Sequence, residues 1–207
     1  MDDTARLERI LAFLEVSDQL KTIERACYLT TGAGRETDAD HTWHAALFAL
    51  LLHRDLSRDV DLGHVLALLT VHDLVEIYAG DTFGYDAVAQ RDQPQREAVA
   101  ADRLFGMLPA DLAATVRGWW EEFEATQTPE AHFAKALDRL QALAQNVFTH
   151  GRMWRERDVT EAMSRARNRE AMAFDPSLAR VFEALYRRAR QENLWATAAN
   201  LPAPDAT

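Results

Sequence analysis

Between His72 and Asp81 an imidazole and three carboxylates stand close together, in the order His72-Asp73-Leu74-Val75-Glu76-Ile77-Tyr78-Ala79-Gly80-Asp81. His72 and Glu76 are four apart and Asp73 and Glu76 three apart, so on one helix end they project from adjoining sectors. The residues before them, Leu62 to Val71, are almost wholly apolar, which places this polar cluster at the end of a buried segment. Ionisable groups in such a place need partners, and a metal ion is one of the few that satisfies several at once. The His-Asp dipeptide alone carries little. With 7 His and 18 Asp in 207 residues, chance supplies roughly 0.6 such pairs.

The wider arrangement carries more. His41 opens a second apolar helix and Asp138 interrupts the apolar stripe of a third. Two imidazoles and two carboxylates converging from three helices would form a set suited to Mn, Fe, Co, Ni or Zn better than to Ca, with Mg also admitted. Each residue also has an ordinary reading. A His near a helix start is often a capping or solvated residue, Asp138 could pair with Lys135 or Arg139, and Asp81 after Gly80 is a natural turn residue. His44, His53, His64, His132 and His150 lack comparable carboxylate company.

The elements that must position these groups read as helices throughout. Leu7, Ile10, Leu11 and Leu14 predict a helix over 4–16, and 20–28 reads as a short helical or irregular piece. A polar loop, Arg35 to Asp40, leads into a helix from His41 to Arg54 that is apolar on most sides, as a central helix is, with Asp38 or Asp40 as cap. Asp61 caps a single helix from Leu62 to Tyr78, stopped by Gly80. A long polar connection, 81–95, has the length of a lid or binding loop. Helices follow over 95–107, from Pro109 through Phe123, from Thr128-Pro129 through Phe148, over 160–173 and over 177–193. Trp43, Trp119, Trp120 and Trp154 read as core. The expectation is an all-α, single-domain helical bundle over 1–195, with a disordered tail over 196–207.

The composition sets limits. The formal charge of −10 argues against binding a phosphate backbone, which runs on clustered Lys and Arg. Cys27 is the only cysteine; it reads as a small core residue. An acidic start, Met1-Asp2-Asp3-Thr4, is no secretory signal. The longest unbroken apolar stretch, Ala45 to Leu52, is far shorter than a bilayer crossing. These point to a cytoplasmic protein acting on a small molecule, with no membrane or nucleic-acid partner.

The order His41, His72-Asp73, Asp138 resembles the HD-domain metal-dependent phosphohydrolases. Arg35-Glu36-Thr37-Asp38-Ala39-Asp40-His41-Thr42-Trp43, the His72 to Asp81 stretch, and Trp120-Glu121-Glu122-Phe123-Glu124 with Leu137-Asp138 are similar to the motifs of the helical 5′-deoxynucleotidase branch, in the same order. The resemblance implies one divalent metal on His41, His72, Asp73 and Asp138, catalytic carboxylates at Glu76 and Asp81, a phosphate-contacting arginine at Arg25, a 5′-deoxynucleoside monophosphate as substrate, and a homodimer. The chain departs from the family where members often have Trp beside that arginine. Ala26, Cys27 and Tyr28 stand there, and Tyr28 is the candidate replacement for the aromatic wall. Other members act on deoxynucleoside triphosphates, cyclic nucleotides or alarmones with the same ligands. Those substrates call for a basic cluster beside the motifs, and the sequence displays none there. A metal-stabilised module without catalysis is the remaining reading.

Overall fold

The computed structural model describes residues 2–196 and is an all-α bundle with one short hairpin. Helix α1 (Asp3–Ser17) runs into a 3₁₀ turn, Asp18–Thr22, and then into strand β1 (Glu24–Tyr28), paired antiparallel with β2 (Arg35–Thr37). The sequence reading had a helical or irregular piece and a loop in these places. A five-residue and a three-residue strand offer too little alternation to register as a period. The hairpin nonetheless has two jobs. Residues two apart on a strand share a face, so Arg25 and Cys27 both point inward. Thr37 then ends β2 as the N-cap of α2 (Asp38–Leu52), in a capping box with Asp40. Neither Asp38 nor Asp40 is the capping residue itself.

Helix α3 (Leu62–Val71) begins at its predicted cap, Asp61, whose carboxylate accepts from the His64 amide. It does not run on to Tyr78. The chain breaks at His72 and resumes as the single turn α4 (Glu76–Ala79). In between, the amides of Leu74, Glu76, Ile77 and Tyr78 bond to carbonyls three residues back, the tighter 3₁₀ spacing. Although Leu62–Ala79 is apolar enough in composition to span a membrane, this break and its burial against other helices make it a core segment. Gly80 then turns the chain with φ +76°, where a Cβ would be strained, and delivers Asp81 beside the cluster.

The other helices are α5 (Gln93–Phe105), α6 (Ala110–Ala125), α7 (Pro129–Phe148), the short α8 (Arg152–Glu156), which the sequence reading lacked, α9 (Glu161–Met172) and α10 (Pro176–Gln191). Helix α7 is the central one. Ala131, Phe133, Ala134, Leu137, Leu140, Leu143, Ala144 and Val147 are all buried, and α2, α3, α6, α9 and α10 pack around them. Burying each large side chain contributes about 1.5–3 kcal/mol. Helix α2, expected to be central, buries Ala45 and Ala49 but leaves Trp43 and Leu51 each 67% exposed. Its apolar surface exceeds what one neighbouring layer can cover. Trp43 is therefore not a core residue, whereas Trp120 and Trp154 are. Trp195 and Ala196 still pack; the rest of the expected tail lies outside the described residues.

Candidate active site

Helices α2, α7 and the α3–α4 break bring the predicted donors together. His41, His72 and Asp73 offer one ligand atom each within 4.8 Å of one another. Asp138, from the middle of α7, places Oδ1 3.1 Å from His41 Nε2. Both imidazoles are held by their far nitrogens. His72 Nδ1 donates to the Leu69 carbonyl at 2.7 Å, which leaves the lone pair on Nε2. That Nε2 is buried, 3.2 Å from Asp73 Oδ2, and has no hydrogen-bond partner. His41 Nδ1 meets Gln141 Oε1 at 2.5 Å, while the Gln141 amide nitrogen donates to Glu36 Oε1 at 2.7 Å. Because a carboxylate accepts, the amide oxygen must face His41, so Nδ1 carries the proton and Nε2 faces Asp138. Two imidazole Nε2 atoms opposite two carboxylates, that of His72 without a hydrogen-bond partner, fit a divalent metal ion.

A second set of carboxylates adjoins the first. Asp38, Asp73 and Glu76 lie within 4.8 Å of one another, and Asp38 Oδ2 and Glu76 Oε2 are buried without partners. Burial pushes the Glu76 carboxyl well above its ordinary value, and repulsion from Asp73 and Asp38 adds to it. Asp38 is pushed up to about 6 by burial and Asp73, against the pull of Arg25. Burial also raises Asp81, with Arg25 opposing. Asp73 and Asp138 go the other way. Burial works against their charge, but His72, Arg25 and His41 hold Asp73 below the usual carboxylate range, and His41 and His72 do so for Asp138. The five carboxyls thus divide into a pair facing the imidazoles whose charge is favoured and three beside it whose proton affinity is raised.

Known proteins match this arrangement. Residues 17–176 fit the HD domain family. The chain belongs to the HD-domain family. A 5′-deoxynucleotidase HDDC2 of Xenopus laevis is 31% identical over 138 residues, 66% of this chain and 67% of that protein. The Homo sapiens protein of the same name is 30% identical over 138 residues, 66% of each. These alignments therefore span about two thirds of the relatives' length. A crystal structure of a predicted metal-dependent phosphohydrolase from Magnetospirillum magnetotacticum superposes with a TM-score of 0.87 at 41% identity, over 93% of this chain and 97% of that one.

In this HD-domain chain a cleft of about 350 Å³ opens over the cluster, within the range of small-ligand pockets. Arg25, His72, Asp73, Glu76, Asp81 and Asp138 line it, while His41 is fully buried behind them. Arg25 Nη1 donates to Asp38 Oδ1 and Asp73 Oδ2, 3.0 Å to each, and reaches Asp81 at 4.0 Å. Tyr28 is not the aromatic wall. Its hydroxyl donates to Glu156 Oε2 at 2.7 Å and its ring lies under Arg35 and Arg152, so surface cations hold it away from the cleft. Phe83, Tyr85 and Trp154 line an adjoining cavity of about 100 Å³ instead, which shares Arg25, Asp81 and Asp138 with the cleft.

Sequence reasoning missed Asp38, Glu36, Gln141, Arg139 and Arg167. Helical spacing held a signal for two of them: Asp38 precedes His41 by three residues and Gln141 follows Asp138 by three. The expected lack of a basic cluster was wrong. Arg25, Lys135, Arg139 and Arg167 all line the cleft, from β1, α7 and α9, and of these only Lys135 and Arg139 are neighbours in sequence.

Proposed function

We propose that this chain is a metal-dependent phosphomonoesterase that converts 5′-deoxynucleoside monophosphates to deoxynucleoside and phosphate. The observation that carries this reading is the buried two-His, two-Asp donor set at the base of a nucleotide-sized cleft, in a chain about 30% identical to proteins named 5′-deoxynucleotidases. His41, His72, Asp73 and Asp138 would hold one divalent ion, of the Mn, Fe, Co, Ni or Zn class or Mg. Such an ion supplies charge neutralisation at the phosphoryl oxygens and acidifies water.

Arg25 clamps the phosphate through its planar fork of donors. Glu76, with a buried unpaired oxygen and a raised proton affinity, orients the attacking water and takes its proton. The water oxygen bonds to phosphorus as the ester P–O5′ bond breaks. Asp81, raised by burial, carries a proton to the departing 5′-oxygen. The net charge of −10 fits a small nucleotide better than a polynucleotide. The setting we assign is cytoplasmic, with a second copy of the chain as its one macromolecular partner.

A panel of monophosphates, assayed with each divalent metal, tests this. Metal-loaded wild type releases phosphate from 5′-deoxynucleotides and Asp73→Asn does not. Glu76→Gln retains bound metal but loses on the order of 10²–10⁴ in kcat. No turnover by loaded wild type, or equal turnover by Asp73→Asn, refutes the assignment.

A further inference from the structure

Among the described residues, two of the cations around the cleft make no salt bridge. Among the described residues Arg25 pairs with Asp38 and Asp73, and Lys135 with Glu124 at 3.1 Å. Arg139 and Arg167 have no carboxylate oxygen within 4.0 Å among those residues, although both line the cleft and the adjoining cavity together with Asp81 and Asp138. Each is anchored by a neutral group. Arg139 Nη1 donates to the Arg167 carbonyl at 3.1 Å, and Arg167 Nη1 donates to the Gly84 carbonyl at 2.6 Å. A Cβ at Gly84 would stand 2.4 Å from the Arg167 guanidinium carbon, so glycine lets the loop close onto that side chain.

These anchors fix two guanidinium groups without neutralising them, and each retains donors of its fork. Burial, with Arg139 as a like-charged neighbour, makes the Arg167 charge costly, and Asp138 offsets this only in part. A half-buried pair of like charges facing a cavity is offset most directly by an anion between them. In the reading above the reacting phosphate is held by Arg25 and the metal that the donor cluster would bind, which leaves Arg139 and Arg167 for a second anion.

We propose that Arg139 and Arg167 form a second phosphate-binding subsite, filled by a further phosphate group carried on the same nucleotide. The inference rests on the nucleotide reading above and extends it from monophosphates to nucleotides such as 3′,5′-bisphosphates. Hydrogen bonds to charged groups contribute enough for a preference on the order of tenfold or more.

The test compares kcat/KM for release of the 5′-phosphate from dAMP and from deoxyadenosine 3′,5′-bisphosphate, using the metal-loaded enzyme. Wild type favours the bisphosphate about tenfold, and Arg139→Gln and Arg167→Gln each bring the ratio towards one. Arg139→Gln leaves the Arg167–Gly84 contact in place, so loosening of the loop cannot account for its effect. Inorganic phosphate is the other source of the same chemistry. If it inhibits wild type more strongly than both variants while the bisphosphate gains nothing over dAMP, the subsite stands and takes free phosphate. Should the loaded protein hydrolyse neither nucleotide, the proposed function fails on its own, and equilibrium binding of the two nucleotides reads the subsite directly. A wild-type ratio of one with unchanged phosphate inhibition in the variants, or a preference that survives both substitutions, overturns the inference.

Discussion

Replacing Gln141 by Leu should weaken metal binding without touching a ligand. Gln141 is fully buried on α7, one turn beyond Asp138. Its amide oxygen faces His41 Nδ1 at 2.5 Å, and its nitrogen donates to Glu36 Oε1 at 2.7 Å and to His44 Nδ1 at 3.2 Å. Leucine is of similar size, so the main loss is polar. His41 no longer has an acceptor that fixes its tautomer and ring angle, and the Glu36 carboxyl, only 1% exposed, loses its donor. A buried group left without its partner costs about 1–3 kcal/mol, more when charged. Three such groups at one site are coupled, so a total of about 3 kcal/mol is expected. Loss of a partner that orients a metal-ligating histidine costs about 10–100-fold in affinity. Competition with a chromophoric chelator measures the metal constant, and urea unfolding of the metal-free protein measures stability. A folded Gln141→Leu variant that binds metal within about twofold of wild type would refute the claim that Gln141 orients His41.

Two further outcomes follow from the same groups. Cys27 is 6% exposed, and burial together with Glu36 pushes its thiol up to about 12. Against the ordinary value of 9.0 this reduces thiolate about a thousandfold, so iodoacetamide at pH 8 labels the chain only after unfolding; rapid labelling of the native protein, read by mass spectrometry, counts against this packing. The metal-free protein should gain stability as pH falls from about 7 to 5. The folded values of Asp38, about 6, and of Glu76 lie above the ordinary ones, so their stabilising contribution is present at low pH and lost as pH rises through them. Asp73 and Asp138 are lowered, so they lose theirs only below the ordinary carboxylate range, outside this window. A melting temperature of the metal-free protein that falls steadily between pH 7 and 5 contradicts the assignment.

The helical fold was largely legible because its signals are local. Thr128-Pro129, Asp61 and Asp175-Pro176 start helices where capping chemistry says they should. All seven expected site residues lie in one cluster or directly behind it, since His41 and Asp138 sit on long helices and His72-Asp73 directly follow an apolar one, and the packing of these helices is forced. What the sequence concealed depends on three dimensions. The break at His72 leaves the apolar pattern of 62–79 intact, so periodicity alone reads one helix. Trp43 lies in a helix too apolar for its place, and only packing reveals which side is left uncovered. Arg139 and Arg167 approach through the packing of α7 against α9, from positions far apart along the chain. Tyr28 was misjudged for the same reason: its partners Arg35, Arg152 and Glu156 come from β2 and α8.

The charge distribution also orders the binding events. Four carboxylates line the cleft near the phosphate position, and Asp38 lies buried beside them. Two unit charges of like sign 4 Å apart repel by about 4 kcal/mol at an effective dielectric of 20, so a phosphate dianion approaching the bare cluster meets a barrier that Arg25 alone does not offset. The raised proton affinities of Glu76 and Asp81 ease that repulsion in the metal-free cluster, but Asp73 and Asp138 are held ionised by their histidine neighbours. The same two carboxylates that repel phosphate are those placed to neutralise a cation. Occupancy of His41, His72, Asp73 and Asp138 therefore decides whether an anionic substrate enters, and affinity for inorganic phosphate should depend on metal even where no bond is broken. The net charge of −10 has little part in this, because charges beyond about 10 Å are screened in ordinary buffer and the cluster acts at contact.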